Sequence, residues 1–420
     1  MARPNVTVII DDQSYVIPNS ESGSVVRGGM VSSKGLIAAL GFTAEREKGY
    51  MEIQGIQDWM QRLTAKDPIG SGASNDLLSY DSLLDDGVSN AGYTSFHTSQ
   101  YVGGTGSRYT QGPTGSWKNE WYAAHNFLQY GGVLVIGATG SVENTVSGSA
   151  TLKDKQIPLD VVFSATGGDG TPSNIASHRG DCVGVEGVAT SITAPGDATF
   201  SGTANEFTIN VYGTKRHLDV TRGVGGAASD VDYITTSCGP DIAGCIARND
   251  KLADPWISPA GFRRGQILDV VSLVDNPSDA DMDTLYDKKI NPVVTFPGEG
   301  TVLFGDKTGA DGTSTLSRIN VSRLFIYLKK TIGAAARGKL FELNDATTRS
   351  SFVNAVTPLL RNIQSRRGIV DFRVVCDETN NTGALVDANQ FIADIFIKPT
   401  KSINFIRITF TNKNTSDDLD

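Results

Sequence analysis

Three times this chain runs an amphipathic helix directly into a short apolar strand, and that alternation restricts the fold more than any single motif does. Residues Trp117 to Tyr130 read as a helix, Gly131-Gly132 as its stop and Val133-Leu134-Val135-Ile136 as a buried strand. Ser278 is placed to cap a second helix running to about Lys289, with Asp281 completing a capping-box pattern. Asn291-Pro292 is expected to end it, and Val293 to Phe296 reads as the strand that follows. Asn344 or Asp345 caps a third helix with Phe352, Val356, Leu359, Leu360 and Ile363 on one face, and Pro358 is expected to kink it. Arg367-Gly368 ends that helix, and Val370 to Cys376 is the next strand. Repeated helix–strand alternation predicts an α/β layered unit with partly parallel strands.

Other segments read differently. Val6, Val8 and Ile10 predict an N-terminal strand, followed by a polar Ser/Gly stretch from Asn19 to Gly29. A strand there needs a pairing partner, because an open edge is a liability. Ile56, Trp59, Met60 and Leu63 have helical spacing, and residues 64–116 then turn polar and rich in Gly, Ser and Asp. Residues 138–250 are rich in Gly, Ser and Thr with short alternations such as Phe207 to Tyr212, which reads as a β-rich and partly inserted region. The clearest helix spans 318–337, with Val321, Leu324, Phe325, Leu328 and Ile332 on one face and Arg318, Arg323, Lys329 and Lys330 off it. Phe391 to Ile397 and Ile403 to Phe410 read as two strands separated by Lys398-Pro399, and the tail from Ser416 to Asp420 is acidic.

At 420 residues the chain calls for two to four structural units, and 39% hydrophobic with 20% charged residues fits a folded protein. A formal charge of −9 argues against direct nucleic-acid binding. No apolar run is long enough to cross a bilayer and no signal-peptide h-region is visible, so membrane insertion is not expected. Cys182, Cys238, Cys245 and Cys376 are widely spread and read as buried thiols in a reducing compartment, not metal ligands.

Several sequences look like chemistry and are better read as structure. Gly300 to Thr308 approaches a P-loop, but Asp306 separates the glycine from Lys307, and Thr-Val-Leu-Phe is strand-like. His97, His125, His178 and His217 form no His-Glu-x-x-His pair, and His178 before Cys182 reads as a surface histidine beside a buried thiol. Gly312-Thr313-Ser314 matches the subtilisin serine motif only in part, without the family's other residues in order. Arg179-Gly180-Asp181 leads into an apolar run and reads as a turn before a strand. The carboxylates Asp275, Asp279, Asp281, Asp283 and Asp287 read as a solvated acidic face, or as an interface for a basic partner. No catalytic, cofactor-binding or metal-binding residue is assigned.

The C-terminal third carries a resemblance. Pro255-Trp256-Ile257-Ser258-Pro259-Ala260-Gly261, Lys289-Ile290-Asn291-Pro292, Phe296-Pro297-Gly298-Glu299-Gly300 and Arg318-Ile319-Asn320-Val321 occur in that order. Leu324 to Ile332, Phe341-Glu342-Leu343-Asn344-Asp345, Cys376 to Thr382 and Asn389 to Asp394 follow. Together they resemble the tail sheath proteins of contractile bacteriophages and related contractile injection machines. The match is thinner through the middle, where Arg179 to Val183 and Ile246 to Asp250 support it, and poor over 64–178.

That resemblance implies a multidomain α/β (α+β mixed) protein. Its core would hold a subtilisin-like α/β layer without the catalytic triad, a β-rich inserted region and extended terminal arms. It implies an N-terminal arm over 1–22, the first part of the core with a polar insertion over 23–137, and a β-rich middle over 138–250. The C-terminal core would span 251–400, and an arm strand with an acidic tail 401–420. The implied role is a structural subunit, not an enzyme, needing no cofactor. Hexameric rings of it would stack helically around a tail tube, with the tube, baseplate and tail terminator proteins as partners. The implied place is the virion tail, after assembly in the host cytoplasm. Arm strands through Val6, Val8, Ile10, Ile403, Phe405, Ile406, Ile408 and Phe410 would add to sheets of neighbouring subunits. Arg318, Arg323, Lys329 and Lys330 facing Asp279, Asp281 and Asp283 form the candidate interface charges. The rival expectations are a subunit of a related injection machine, another assembly protein such as a tube or capsid subunit, and a hydrolase on a subtilisin-like scaffold.

Overall fold

The computed structural model describes residues 25–32, 50–59, 118–138, 152–165, 167–189, 194–200, 202–218, 233–312 and 314–402. The N-terminal and C-terminal arm strands, the polar stretch 64–116 and His97 lie outside the described residues.

In chain order the strands begin with β1 (Arg27–Ser32) and β2 (Tyr50–Ile53), followed by one helical turn at 56–59. Next come α1 (Lys118–Leu128), β3 (Val133–Ala138), β4 (Val161–Phe163), α2 (Thr171–Arg179), β5 (Val183–Gly187) and β6 (Thr208–Tyr212). Then follow β7 (Thr214–Leu218), β8 (Tyr233–Ser237), α3 (Gly239–Leu252), β9 (Ser272–Leu273), α4 (Asp279–Asp287), β10 (Ile290–Phe296) and β11 (Gly300–Leu303). The C-terminal part holds α5 (Ile319–Arg337), α6 (Ala346–Ser365), β12 (Ile369–Val375), α7 (Gly383–Asp387) and β13 (Asp394–Pro399).

Eight strands form one sheet in the order β11-β10-β6-β5-β4-β1-β3-β2. The six inner strands run parallel, and the two edge strands, β11 and β2, pair antiparallel with their neighbours. Helices cover both faces. Gly184 of β5 abuts Pro172 of α2, while Gly187 of the same strand abuts Gly239 of α3. Three residues apart in a strand means opposite faces. Phe127 of α1 lies so close over Gly28 of β1 that an added Cβ would sit 2.5 Å from its Cζ, so this crossing requires glycine. The layered α/β unit expected from the helix–strand alternation is present.

The middle of the chain differs from the expectation. Residues 138–250 supply β4, β5 and β6, which sit at the centre of the sheet and not in a separate β-rich unit. Parallel strands buried on both faces lack the polar alternation that marks an exposed strand. β4 is only Val-Val-Phe, too short to stand out. β7, β8 and β9 form a small antiparallel sheet beside it.

The residues between 251 and 400 also divide. β10 and β11 complete the large sheet, whereas Leu324, Leu328 and Ile332 of α5 join Phe352, Val356, Leu360 and Ile363 of α6 and Ile369 in a second core. Helix α5 is shared, because Ile319 and Ile326 belong to the large core. Ser278 caps α4 through the expected capping box, accepting from the Asp281 N–H while Asp281 accepts from Ser278 N–H. That helix ends at Asp287, and Asn291-Pro292 lies inside β10 instead of before it. The turn is made at Lys289 with φ 60. The Asn291 amide then ties β10 to Asn210 O at 2.9 Å and Lys307 O at 2.8 Å.

Candidate functional site

The C-terminal unit begins with α5 and α6, joined by a tight loop over 338–345. Asp345 caps α6 by accepting from Thr348 N–H at 2.7 Å, as the sequence suggested for Asn344 or Asp345. That bond to its charged form holds the Asp345 carboxyl below its usual range. Pro358 sits inside α6, and the helix ends as Arg367 adopts φ 67 before Gly368. Trp256 closes this end of the second core. Its Nε1 donates to Arg366 O at 3.2 Å, its ring meets Tyr327 edge-on at 5.4 Å, and the neighbouring Asp254 pairs with Arg366. The Pro255-Trp256 block therefore joins the two halves of the molecule.

β12 and β13 form a two-stranded antiparallel sheet lying on α6. Phe372, Val374, Ile395 and Ile397 face the helix. The other side carries the pairs Arg373 with Phe396 and Asp371 with Lys398, and Phe396 is 59% exposed. Among the described residues no third strand joins either outer edge. An isolated two-stranded sheet is marginal in water. Here the Cys376 to Thr382 block ties its open end. Asn381 Nδ2 donates to Ile392 O at 2.8 Å while its Oδ1 accepts from Ile392 N–H at 2.8 Å. Asn380 Nδ2 donates to Val375 O and to Asp394, both at 2.9 Å. The sheet is thus preformed, and among the described residues both its outer edges are open.

The basic residues of α5 are not arranged as the sequence suggested. Arg323 donates to Asp250 at 2.7 Å, and Lys330 donates to Asp160 at 2.6 Å and to Leu159 O at 3.0 Å. Burial alone would raise the Asp160 carboxyl, yet Lys330 and the Arg27 N–H bring it below its ordinary value. Lys329 is buried beside the Phe207 ring, and burial pushes its ammonium down to about 8. The helix is packed on both sides, so the residues off its apolar face meet the large sheet instead of solvent. Arg318 donates to the Tyr286 hydroxyl at 3.1 Å, and Asp281 is engaged in its own cap. Asp279 and Asp283 are exposed. The structure does not bring these acids to the α5 cations within one chain. Val6, Val8, Ile10, Ile403, Phe405, Ile406, Ile408 and Phe410 lie outside the described residues.

The tempting motifs resolve into packing. Arg179 is fully enclosed, gripping Asp181 through Nε at 2.8 Å and Nη2 at 3.0 Å and donating to three carbonyls between residues 152 and 157. It is a buried staple at a turn before β5, as the sequence suggested for Arg179-Gly180-Asp181. Thr301-Val302-Leu303 is strand, and Asp306 is buried, accepting from the Ser402 hydroxyl at 2.7 Å. All four cysteines are buried thiols, and burial pushes Cys182 up to about 12. His178 is exposed; His125 contacts Gln129, and His217 lies between Leu218 O and Asp269. Sequence reasoning missed the partners Asp160 and Asp250 and the buried Lys215–Asp241 pair at 2.9 Å. Their spacing of 26 to 170 residues leaves no local signal.

Comparison with known proteins agrees with this geometry. Residues 311–413 match the family model of the phage tail sheath C-terminal domain. The tail sheath protein of Vibrio phage KVP40 is 53% identical over 179 residues, 43% of this chain and 27% of that protein. The tail sheath protein of Enterobacteria phage T4 is 47% identical over 180 residues, again 43% of this chain and 27% of that protein. The matched stretch is 27% of each relative's length. Among solved structures, the anti-feeding prophage helical sheath in its contracted state superposes with a TM-score of 0.63 at 14% identity, covering 98% of this chain and 100% of that one. The sheath complex of an extracellular contractile injection system, PVC, in the contracted state gives 0.61 at 14% identity, covering 98% of each chain. At such identities these likenesses establish the fold: a mixed α/β chain folded like sheath proteins of contractile systems. The resemblance to the contractile phage tail sheath family is borne out.

Proposed function

We propose that this protein is a structural subunit of a contractile phage tail sheath, one that polymerises around a tail tube and shortens to drive it through an envelope. The observation that carries this reading is the β12–β13 sheet. It is preformed, anchored on α6, and open at both edges among the described residues. Such a sheet suits strand addition, in which main-chain hydrogen bonds supply affinity without a demanding side-chain match. The sequence supplies two suitable strands, one around Val6, Val8 and Ile10 and one around Ile403, Phe405, Ile406, Ile408 and Phe410. A head-to-tail exchange of arms leaves an arm and an edge free on every pair, so it builds rings or filaments and not closed dimers.

On this reading the arms are hinged tethers and the rest of the subunit is the moving body. The buried Arg323–Asp250 and Lys330–Asp160 pairs hold the C-terminal unit to the large sheet, so a pull on the hairpin is passed to the whole subunit. Itself, the tube, and baseplate and terminator proteins are the partners this assembly requires, in hexameric rings stacked helically, as part of the virion. The role is structural, with no chemistry to catalyse and no cofactor. A subunit of a related injection machine would use the same surfaces. The exposed acids Asp279 and Asp283 are available for a neighbouring subunit.

Negative-stain electron microscopy of the purified chain, with and without residues 1–18, tests the proposal. Hollow tubes or stacked six-fold rings that disappear on deletion are expected. Tubes that persist unchanged without that segment would remove the arm mechanism. Failure to assemble even with added tube protein would remove the sheath reading.

A further inference from the structure

The loop joining α5 and α6 shows an arrangement that its own subunit does not explain. Phe341 is 87% exposed and Leu343 is 78% exposed. Phe341 also has φ 71, a left-handed backbone that an aromatic residue adopts only at a cost of about 1–2 kcal/mol. The loop is nevertheless pinned. Asn344 Nδ2 donates to Gln390 O at 2.8 Å, Arg349 donates to Asn344 Oδ1 at 3.0 Å, and Lys339 Nζ donates to Ser351 at 3.0 Å. Glu342 stands exposed between the two apolar side chains. Those bonds hold the loop in its strained form, yet among the described residues nothing covers its two apolar side chains, and such strain is held where it serves a contact.

A surface of matching character lies at the other end of α5. Phe262, Phe296 and Phe304 cluster with ring centroids 5.3, 5.1 and 6.3 Å apart. Phe262 is 41% exposed and Phe304 44% exposed. Beside them stand exposed Arg263 and Glu299. The patch adjoins the start of α5, because Ile319 N–H donates to Asp306 O at 3.2 Å, two residues after Phe304. The loop follows its end. A 19-residue helix is about 28 Å long, so loop and patch cannot meet within one chain.

We propose that the Phe341-Glu342-Leu343 loop of one copy of this chain docks on the Phe262, Phe296 and Phe304 patch of a second copy. The charges agree: Glu342 of the loop approaches Arg263 of the patch, and Lys339 approaches Glu299. Because the two surfaces lie at opposite ends of α5, each copy has one of each left over after docking. The contact is heterologous, so it propagates into a ring or an open array instead of ending at a dimer. It rests on the sheath reading only in requiring that copies of this chain associate, and it adds a side-chain contact independent of the arms.

Cross-linking tests it. Leu343→Cys is made in one preparation and Phe262→Cys in another. The four native thiols are buried, so the introduced ones are the reactive pair. Mixed at high concentration under mild oxidation, the two variants should give a disulfide dimer, and neither alone should give it. Glu342→Arg or Arg263→Glu alone should raise the protein concentration needed for that dimer roughly three- to tenfold, and the two together should restore it. Tubes of normal form with no mixed cross-link would overturn this contact and leave the sheath reading standing. A mixed cross-link without tubes would support the contact and count against the sheath. Equal cross-linking in either variant alone, or charge reversals that fail to rescue each other, would also overturn it.

Discussion

In the large sheet, each of the six parallel strands has a neighbour on both sides and helices on both faces; among the described residues the C-terminal hairpin has two strands, one helix and two open edges. The first region satisfies its backbone internally. The second, among the described residues, satisfies it only between its two strands. Helix α5 joins the two regions by burying Ile319 and Ile326 in one core and Leu324, Leu328 and Ile332 in the other.

The strongest way to break this contrast is to cut the joint. Lys330→Met takes the cation from Asp160, whose side chain is 26% exposed and keeps the Arg27 N–H, so the loss should be about 3 kcal/mol, the low end for breaking a buried pair. Chemical denaturation should then show two transitions, with the C-terminal unit melting first. A single transition at an unchanged midpoint would mean that the two regions are joined by apolar packing alone. Adding Asp160→Leu should recover much of the loss, because the orphaned charge is then gone.

Asn381→Ala tests the hairpin by itself. It removes donors and acceptors that satisfy Asp377 O and Ile392, and leaving buried groups unpaired costs about 1–3 kcal/mol. Hydrogen exchange should rise across 369–399 and stay unchanged in the large sheet. Protection lost equally in both would show that the hairpin is no separate unit.

Sequence reading succeeded on helices that lie at a surface and faltered on the central strands and on α5, for a physical reason. The capping residues Ser278 and Asp345, the stop at Arg367-Gly368 and the stripe from Phe352 to Ile363 are local signals, and helices at a surface display them. The strand Val161-Val162-Phe163 displays nothing but apolarity, because both its faces are buried. The α5 cations misled because a helix packed on two sides buries its polar residues too. Lys330 and Asp160 are 170 residues apart, and only the folded topology brings them together.

Acid should act on the body through two buried groups of opposite sign. Burial raises Glu186 from 4.5 to about 7, so the folded state holds its proton more tightly and stability falls as pH rises from 4.5 to 7. Burial lowers His217 from 6.5 to about 4, so the unfolded chain takes the proton first and stability falls as pH drops from 6.5 to 4. Between 4.5 and 6.5 the two oppose each other. Thermal melts of the native chain should therefore change little over that window. Glu186→Gln should lose stability toward acid, and His217→Asn should gain it. Parallel profiles for both variants would show that neither group titrates on unfolding.

The smallest effect on stability is expected at Phe396, on the outer side of the hairpin. It pairs across the strands with Arg373 and is more than half exposed, so Phe396→Thr should change the stability of the isolated chain by no more than about 0.5 kcal/mol. Threonine keeps the strand preference, so the hairpin and its edges should stay as they are. If assembly weakens while stability holds, this outer side is covered in the polymer as well as the edges. If stability itself drops by more than about 1 kcal/mol, the outer side is already packed within the subunit and the hairpin is less unfinished than its open edges indicate.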